Sequence, residues 1–322
     1  MRRRGQSLWI VLTCVALVPA LTATVLRVVP PTDDTTALVA SFIAYGLVGY
    51  LIALVCLVVA LVRARRRRVL AVVTLLVAGL TALQLSWMVP FFVPDDRPVS
   101  TPTFTVMSLN MYKGLADSAQ VYAVARRADV VVLVETTPIA LNALKGLGWS
   151  ERFPYAVGDL APGISDTAIF SRFPLEEGVL LGRTSFQQWM TAVKVPGIGS
   201  VELVAAHPCN PYCGHQRWAG EHDLLRRTLA PLLGDRLVVA GDFNAVDDHG
   251  PMQALRADGL RSATDLTGAG WMPTYPANRS FPPLLPIDHV LVSQRMTATE
   301  IHSFRVAGTD HLGVFATLAG SG

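Results

Sequence analysis

Three uninterrupted apolar runs at the start of the chain limit its fold more than any other feature. They cover residues 7–26, 36–62 and 69–93, and none contains a charged side chain. Each reaches the roughly 20 residues that a helix needs to cross the hydrocarbon core of a bilayer. The first run is also compatible with a cleavable signal peptide, although its apolar stretch is long for that role. The sequence therefore predicts a membrane domain, residues 1–95, with three transmembrane helices.

The positions of the arginines predict how these helices are oriented. Arg2, Arg3 and Arg4 precede the first run, whereas Arg63 and the run from Arg65 to Arg68 separate the second run from the third. Because positively charged loops remain on the cytoplasmic side, the N-terminus and the arginine-rich loop are predicted to lie inside. An odd number of spans then places the rest of the chain outside. We therefore expect a multi-pass protein of the cell membrane with an extracytoplasmic domain.

A polar, proline-bearing segment, residues 96–103, is predicted to link the membrane domain to a second domain over residues 104–322. In that domain short β-rich runs alternate with polar or helical stretches, which favours an α/β fold with a strand-rich core. Strands are expected at residues 104–109, 130–134, 167–170, 192–195, 201–206, 237–240, 287–292 and 314–318, and helices at 118–127 and 216–233.

The net charge of +3 conceals two halves of opposite sign. Ten Lys and Arg residues and four Asp and Glu residues precede residue 100, and 17 basic and 20 acidic residues follow it. A second domain with a charge of −3 is a poor electrostatic match for nucleic acid. Nucleic acid is therefore not an expected partner, whereas membrane lipids and lipid-linked phosphates are within reach of a tethered domain. No protein partner can be inferred.

Two of the four cysteines lie close together in the second domain. Cys209 and Cys213 enclose three residues, in a loop predicted to face an oxidising compartment. A disulfide between them is one interpretation. The alternative is a metal site completed by His207 and His215, although zinc sites usually gather four ligands in tighter pairs.

Polar residues with chemical potential stand at the ends of the predicted strands. They are Asn110, Glu135, His207, Asp242, Asn244, Asp288 with His289, and Asp310 with His311. Taken singly, such residues are usually turn or cap residues. Together they offer carboxylate and amide oxygens, the ligands that Mg²⁺ prefers, and imidazoles for proton transfer. Hydrolysis of a phosphate ester needs such a set.

The blocks that carry these residues resemble the endonuclease/exonuclease/phosphatase superfamily, the DNase I-like metal-dependent phosphohydrolases. The matching blocks, in order, are residues 108–110, 132–135, 168–174, 206–207, 241–245, 287–293 and 309–312. The resemblance covers residues 103–319 and implies a four-layer α/β/β/α sandwich with the active site at one end. One departure is Ala206, where the family often has Thr before the site histidine.

The resemblance also implies roles for the site residues. Glu135 would be the main ligand of Mg²⁺, or of Mn²⁺, with Asn110 and Asp310 close to the metal. Asp242 would orient or deprotonate the attacking water, Asn244 would bind a phosphoryl oxygen, and His207 would donate to the phosphate. His311, oriented by Asp288, would stabilise charge or transfer a proton. Whether Asp242 or His311 is the general base stays open.

Membrane spans joined to such a domain resemble the membrane-bound actinobacterial branch that includes the VanJ-type teicoplanin-resistance proteins. This resemblance implies hydrolysis of a phosphorylated lipid, a polyprenyl (undecaprenyl) pyrophosphate of the cell-wall lipid cycle, with a bearing on glycopeptide resistance. Alternatives are a phospholipase C or sphingomyelinase-like phosphodiesterase, an extracellular nuclease, and a non-catalytic sensor of lipid or glycopeptide. An apolar loop, residues 281–286, would either contact lipid chains or pack inside the domain.

Overall fold

A computed structural model describes residues 2–64, 67–95, 97–161 and 166–322. Arg65 and Arg66 of the predicted arginine-rich loop and Asp96 of the predicted linker lie outside the described residues, as do the side chains of residues 1–6. The chain divides into two compact units. One runs up to Pro90 and includes Asp248–Gly250, and the other comprises Phe91–Asp247 and Pro251–Gly322.

The first unit consists of helices. They are α1 (Arg2–Val28), α2 (Asp34–Ala40), α3 (Gly46–Arg63) and α4 (Arg68–Phe92), with a 3-10 turn at Ile43–Tyr45. Three segments, Ser7–Val28, Ile43–Arg63 and Arg68–Phe92, are long and apolar enough to span a membrane. The number of predicted membrane helices is therefore confirmed by length and composition.

The second predicted span, residues 36–62, is wrong at its N-terminal end. Asp33 caps a separate short helix, α2, by accepting a hydrogen bond from the Thr36 N–H at 3.0 Å. The backbone then breaks before α3 begins. Such a break frees carbonyl groups that an apolar environment cannot satisfy. The buried Gln84 side chain, on α4, compensates by donating to the Ile43 carbonyl at 2.9 Å.

Small residues bring α1 and α3 close together. A methyl group added at Gly49 would lie 2.8 Å from the Ala16 carbonyl oxygen, so only glycine fits there. The hydroxyl groups of Thr24 and Tyr50 share a hydrogen bond of 2.6 Å across the same interface. Close backbone approach and interhelical hydrogen bonds of this kind hold membrane helices together.

The second unit contains two six-stranded sheets and short helices. The strands are β1 (Val99–Asn110), β2 (Val130–Thr136), β3 (Tyr155–Val157), β4 (Asp166–Ser171), β5 (Val179–Leu180), β6 (Trp189–Val195), β7 (Gly199–Ala206), β8 (Leu237–Asp242), β9 (Arg261–Ser262), β10 (Asp288–Val292), β11 (Met296–Phe304) and β12 (Gly313–Ser321). The helices are α5 (Ser118–Ala125), α6 (Pro138–Lys145), α7 (Trp149–Arg152), α8 (His215–Leu229), α9 (Gly250–Ala257) and α10 (Ala263–Thr267).

The strand order is β11-β12-β1-β2-β4-β3 in one sheet and β5-β6-β7-β8-β10-β9 in the other. Neighbours are antiparallel except β1 with β2 and β7 with β8. Alternate residues of β2 point to opposite faces, as strand geometry requires. Val132 packs into the core between the sheets, and Leu133 into a second core that α5, α6 and α7 cover. The predicted DNase I-like sandwich is confirmed.

The first strand begins earlier than the sequence predicted. β1 starts at Val99, inside the segment 96–103 that was expected to be a linker, and Thr103 pairs with Ala319 of the last strand. The Ser100 hydroxyl also donates to the Gly320 carbonyl at 3.0 Å. Pairing with β12 thus orders residues whose own composition indicates a loop.

Candidate active site

The predicted site residues meet at one end of the sandwich because of the strand directions. Asn110 ends β1 and Glu135 lies near the end of its parallel neighbour β2. Asp242 ends β8, which is antiparallel to β10, so that Asp288 at the start of β10 lies directly opposite it. The carboxyl ends of parallel strands share an edge, which is where such folds place their binding sites.

His207 follows β7, and Asp310 and His311 immediately precede β12. Close approach of β7 and β8 depends on Gly241, where φ is +152° and any side chain would collide with the Ala206 carbonyl. Glycine is required where one backbone comes this near another. Because Gly241 lies against Ala206, the residues that follow them, Asp242 and His207, lie side by side.

Asn110 is the hub of the carboxylate cluster. Its Oδ1 accepts a hydrogen bond from the Tyr112 N–H at 2.8 Å, which sets the orientation of the amide. Its Nδ2 then donates to Asp242 Oδ2 at 3.0 Å and to Glu135 Oε1 at 3.3 Å. One buried amide thus joins carboxylates from both sheets.

Tyr112 and Lys113 form a strained turn that the sequence did not identify as part of the site. Their φ angles are 46° and 55°, in the left-handed region that costs an ordinary residue about 1–2 kcal/mol. The turn directs the Lys113 N–H to Glu135 Oε2 at 2.9 Å. Gly114 was the only sequence signal for it, since glycine after polar residues favours a turn.

The histidine–aspartate pair has the geometry that the sequence predicted. His311 Nδ1 lies 2.8 Å from Asp288 Oδ2, and its Nε2 lies 3.7 Å from Asp242 Oδ2. Burial by itself lowers the pKa of His311, but the Asp288 and Asp242 carboxylates more than offset it and raise the pKa to about 10. Burial raises the pKa of Asp242 to about 7, although His311 acts in the opposite direction. His311 is therefore the proton-bearing member at neutral pH.

His207 occupies an apolar setting at the edge of the cluster. Its imidazole stacks on the Phe186 ring, with centroids 4.2 Å apart, and its Nε2 lies 3.9 Å from Asp242 Oδ2. Burial lowers the pKa of His207 to about 3, and the nearby His311 adds to this effect. The ring is therefore neutral, and one of its nitrogens can donate a hydrogen bond without adding charge.

Asn244 connects Asp242 to the segment that carries His207. Its N–H donates to Asp242 Oδ1 at 2.8 Å, and its Nδ2 donates to the Pro208 carbonyl at 3.0 Å. Its φ of 48° is left-handed, which asparagine tolerates better than most residues. One amide hydrogen remains after the bond to Pro208, so Asn244 retains a donor for a phosphoryl oxygen.

The oxygen atoms of this cluster fit a divalent cation. Asp310 Oδ1 is buried and accepts no hydrogen bond from the described residues. Burial raises the pKa of Asp310 and the Glu135 carboxylate adds to this, whereas His311 acts in the opposite direction. Glu135 and Asp310 would hold Mg²⁺ or Mn²⁺, since hard cations prefer such oxygen ligands. Asn110 differs from its expected place beside the metal as a ligand, because its Oδ1 faces the Tyr112 N–H and its Nδ2 faces the carboxylates, so it would orient Glu135 instead.

Asp242, Asp288 and His311 also have ligand atoms within 4.8 Å of one another. We do not assign the cation to these three residues, because His311 Nδ1 and Asp288 Oδ2 already share a hydrogen bond. Within the described part of the chain, no other group of three or more His, Cys, Asp or Glu side chains has its ligand atoms this close together. The group includes neither cysteine of the 209–213 loop. The structure instead joins Cys209 and Cys213 by a disulfide.

Tyr275 is a further residue that the sequence did not single out. Its ring centroid lies 4.9 Å from that of His311. Burial and the Asp310 carboxylate raise the pKa of the Tyr275 phenol. The phenol therefore stays protonated beside the site and remains a hydrogen-bond donor.

A rise in pH is expected to destabilise the second unit through His311. The raised pKa means that His311 stabilises the fold fully below its ordinary pKa near 6.5, and that this stability is lost as pH rises towards 10. Replacement of Asp288 by Asn removes the largest cause of the raised pKa. We expect the melting temperature of the metal-free protein, in EDTA, to fall between pH 7 and 10 in the wild type and to change much less in Asp288→Asn. Asp235→Asn, an exposed carboxylate, is the control, and equal slopes in all three proteins would contradict the assignment.

Comparison with known proteins shows the family to which this chain is similar. The sequence profile of the Endonuclease/Exonuclease/phosphatase family matches residues 107–311. A search of the curated proteins by sequence found no significant match.

Solved structures share the fold at low sequence identity. An endonuclease/exonuclease/phosphatase from Beutenbergia cavernae is 20% identical, with a TM-score of 0.52 over 68% of this chain and 72% of that one. Sphingomyelinase C from Streptomyces griseocarneus is 19% identical, with a TM-score of 0.50 over 69% of this chain and 100% of that one. The mannosyl-6-phosphatase Bt3783 of Bacteroides thetaiotaomicron is 15% identical, with a TM-score of 0.50 over 67% and 99%.

Proposed function

Because this chain belongs to the endonuclease/exonuclease/phosphatase family, we propose that it is a membrane-anchored, Mg²⁺-dependent hydrolase of a phosphorylated lipid. The observation that carries the proposal is the buried hydrogen-bonded cluster in which Asn110 joins Glu135 to Asp242, with His311 and Asp288 next to it. Buried carboxylates are costly to a fold unless they serve a purpose such as holding a cation. The cluster has the residue types that hydrolysis of a phosphate ester requires.

The residues divide between the cation and the proton transfers. When bound by Glu135 and Asp310, the cation would neutralise charge on the phosphoryl oxygens. The water oxygen forms a bond to phosphorus while the bond to the leaving oxygen breaks. The raised pKa of His311 favours Asp242 as the group that accepts the water proton, and His311 as the group that donates to the phosphate. Neutral His207 and Asn244 would each donate a hydrogen bond to a phosphoryl oxygen.

We place the catalytic domain on the outer face of the cell membrane. The arginines at the start of α1 and those from Arg63 to Arg68, around the connection of α3 to α4, favour a cytoplasmic location for both segments. An odd number of spans then places the domain outside. The Cys209–Cys213 disulfide agrees with this placement, because disulfides persist in oxidising compartments. Accessibility of a cysteine substituted at exposed Ile139 to a membrane-impermeant reagent in whole cells would test it.

A lipid phosphate is the substrate class that agrees best with the anchor and with the surface of the domain. Phe281 is 47% exposed, whereas Pro286 at the other end of the same loop is buried. One end of the loop thus packs inside the domain, and the exposed apolar end is available for contact with lipid chains. Among such lipids we propose a polyprenyl pyrophosphate, as in the VanJ-type branch that the sequence resembles, with the bearing on glycopeptide resistance which that branch implies.

A sphingomyelinase-like phosphodiesterase is the second candidate. The observation in its favour is the similarity to the Streptomyces griseocarneus sphingomyelinase C, whose whole length the chain matches. Both candidates use the same site on a membrane lipid, and they differ in whether the reacting phosphate is a diester or a pyrophosphate.

Release of phosphate from undecaprenyl pyrophosphate, by the detergent-purified full chain with Mg²⁺, is the test. Sphingomyelin and a DNA duplex serve as competing substrates. We expect turnover of the prenyl pyrophosphate that is abolished by EDTA. Cleavage of sphingomyelin alone would establish the second candidate. Cleavage of DNA alone would overturn the choice of a lipid, because the acidic charge of the domain argues against a nucleic-acid substrate.

A further inference from the structure

A buried carboxylate outside the catalytic cluster holds the loops that carry and cover His207. Glu221 lies on α8 and is only 6% exposed. Its Oε1 accepts hydrogen bonds from the Ser185 N–H at 2.8 Å and the Ser185 hydroxyl at 2.7 Å. Its Oε2 accepts from the Cys209 N–H at 2.8 Å. Three hydrogen bonds to one buried side chain therefore anchor two separate segments, because a buried donor left without its acceptor is costly.

The first anchored segment precedes β6 and covers the His207 imidazole. Phe186, next to Ser185, stacks on that ring with the two planes 14° apart. Gln188, two residues further, accepts a hydrogen bond from the His207 N–H at 3.2 Å through its side-chain oxygen. Fixing Ser185 therefore fixes the wall against which the imidazole rests.

The second anchored segment carries His207 itself. Cys209 is two residues beyond His207, and the intervening Pro208 carbonyl accepts the Asn244 side-chain bond at 3.0 Å. The same carboxylate thus acts on both proposed phosphate donors, His207 directly along the chain and Asn244 through Pro208. Glu135, a proposed metal ligand, and Asn110, which orients it, belong to the other sheet and make no contact with these segments among the hydrogen bonds described above.

We infer that Glu221 is a positioning residue for the phosphate-binding half of the site. It sets His207 and Asn244 at the distance and angle at which they donate to a phosphoryl oxygen, and it leaves the metal-binding half unaffected. The inference rests on the proposed function, because it assumes that these two side chains bind phosphate. Positioning matters because groups displaced by a fraction of an ångström lose much of their effect on the reacting atoms.

Glu221→Gln separates this role from a general contribution to folding. The amide keeps the shape of the side chain and one acceptor oxygen, but its NH₂ group must face either the Ser185 donors or the Cys209 N–H. We expect the affinity for inorganic phosphate, measured by titration calorimetry on the full chain with Mg²⁺, to fall about tenfold. The Mg²⁺ affinity should stay close to that of the wild type, whereas the melting temperature should fall modestly because one buried donor loses its acceptor. Asp223→Asn, an exposed carboxylate on the same helix, is the matched control.

Two results would overturn the inference. One is phosphate affinity in Glu221→Gln equal to that of the control. The other is an equal loss of phosphate and Mg²⁺ affinity, which would indicate a general structural role. If Glu221→Gln does not fold, Ser185→Ala removes one of the three bonds, and it should weaken phosphate binding alone; unchanged phosphate binding in Ser185→Ala would then overturn the inference. Phosphate binding without turnover of any substrate would instead contradict the proposed function and leave the role of Glu221 measurable.

Discussion

Replacement of Glu135 by Gln is expected to lower turnover by at least about 10²-fold. The variant keeps the side-chain length and the left-handed backbone at this position, where φ is 52°. It removes the charge, and it sets an NH₂ group against either the Lys113 N–H or the Asn110 amide, both of which need an acceptor. The loss therefore reports on the charge and the acceptor geometry of this one carboxylate.

The measurement is phosphate release as a function of Mg²⁺ concentration. Loss of metal affinity should accompany the loss of turnover, so the half-maximal Mg²⁺ concentration should rise in Glu135→Gln if any activity remains. Glu177→Gln, which changes an exposed glutamate outside the cluster, should behave as the wild type. Near-normal turnover by Glu135→Gln would remove Glu135 from the site.

Replacement of Asp242 by Asn should also lower turnover by at least about 10²-fold, and it should remove one source of pH-dependent stability. Both Asp242 oxygens accept hydrogen bonds, from the Asn244 N–H and from Asn110 Nδ2. An amide at position 242 can satisfy only one of them. Asn110 cannot turn over to compensate, because its Oδ1 already accepts from the Tyr112 N–H.

The stability half of this prediction follows from the pKa. Burial raises the pKa of Asp242 to about 7, which means that the folded state favours the neutral acid. The free energy of unfolding that Asp242 contributes is therefore lost as pH rises from about 4 to about 7. Asn carries no charge at any pH, so Asp242→Asn removes this pH dependence, although its NH₂ group leaves one buried donor without an acceptor. We expect the metal-free melting temperature of Asp242→Asn to change less between pH 4 and pH 7 than that of the wild type. An equal pH dependence, or activity close to that of Asp235→Asn, would contradict the prediction.

Most of the strands could be predicted from local patterns, and the strands that were missed share one cause. All eight predicted strands are present, whereas β3, β5, β9 and β11 were missed. These four are the edge strands of the two sheets. Edge strands are paired on one side only and tend to be short or polar, so they lack the apolar pattern that identifies a buried strand.

The site residues were predictable because strand ends and short motifs are local features of a sequence. Their mutual geometry was not. The hydrogen bond from Asn110 to Asp242 joins residues 132 positions apart, and that from His311 to Asp288 joins residues 23 apart. The family resemblance implied the pairing of His311 with Asp288 but not that of Asn110 with Asp242, since hydropathy and spacing alone cannot align two sheets.

The sequence by itself determined the three long apolar segments, the strand-rich α/β character and the identity of the strand-end acids, amides and histidines, because each depends on neighbouring residues. The sandwich arrangement came from the family resemblance. Only the tertiary structure decided that Gln84 satisfies the break before α3, that residues 99–103 form a strand, and that Tyr112, Lys113 and Glu221 support the site. These residues act through hydrogen bonds to partners far along the chain. A polar side chain has the same local pattern whether it faces water or accepts a buried N–H, and only the packed fold brings the partner to it.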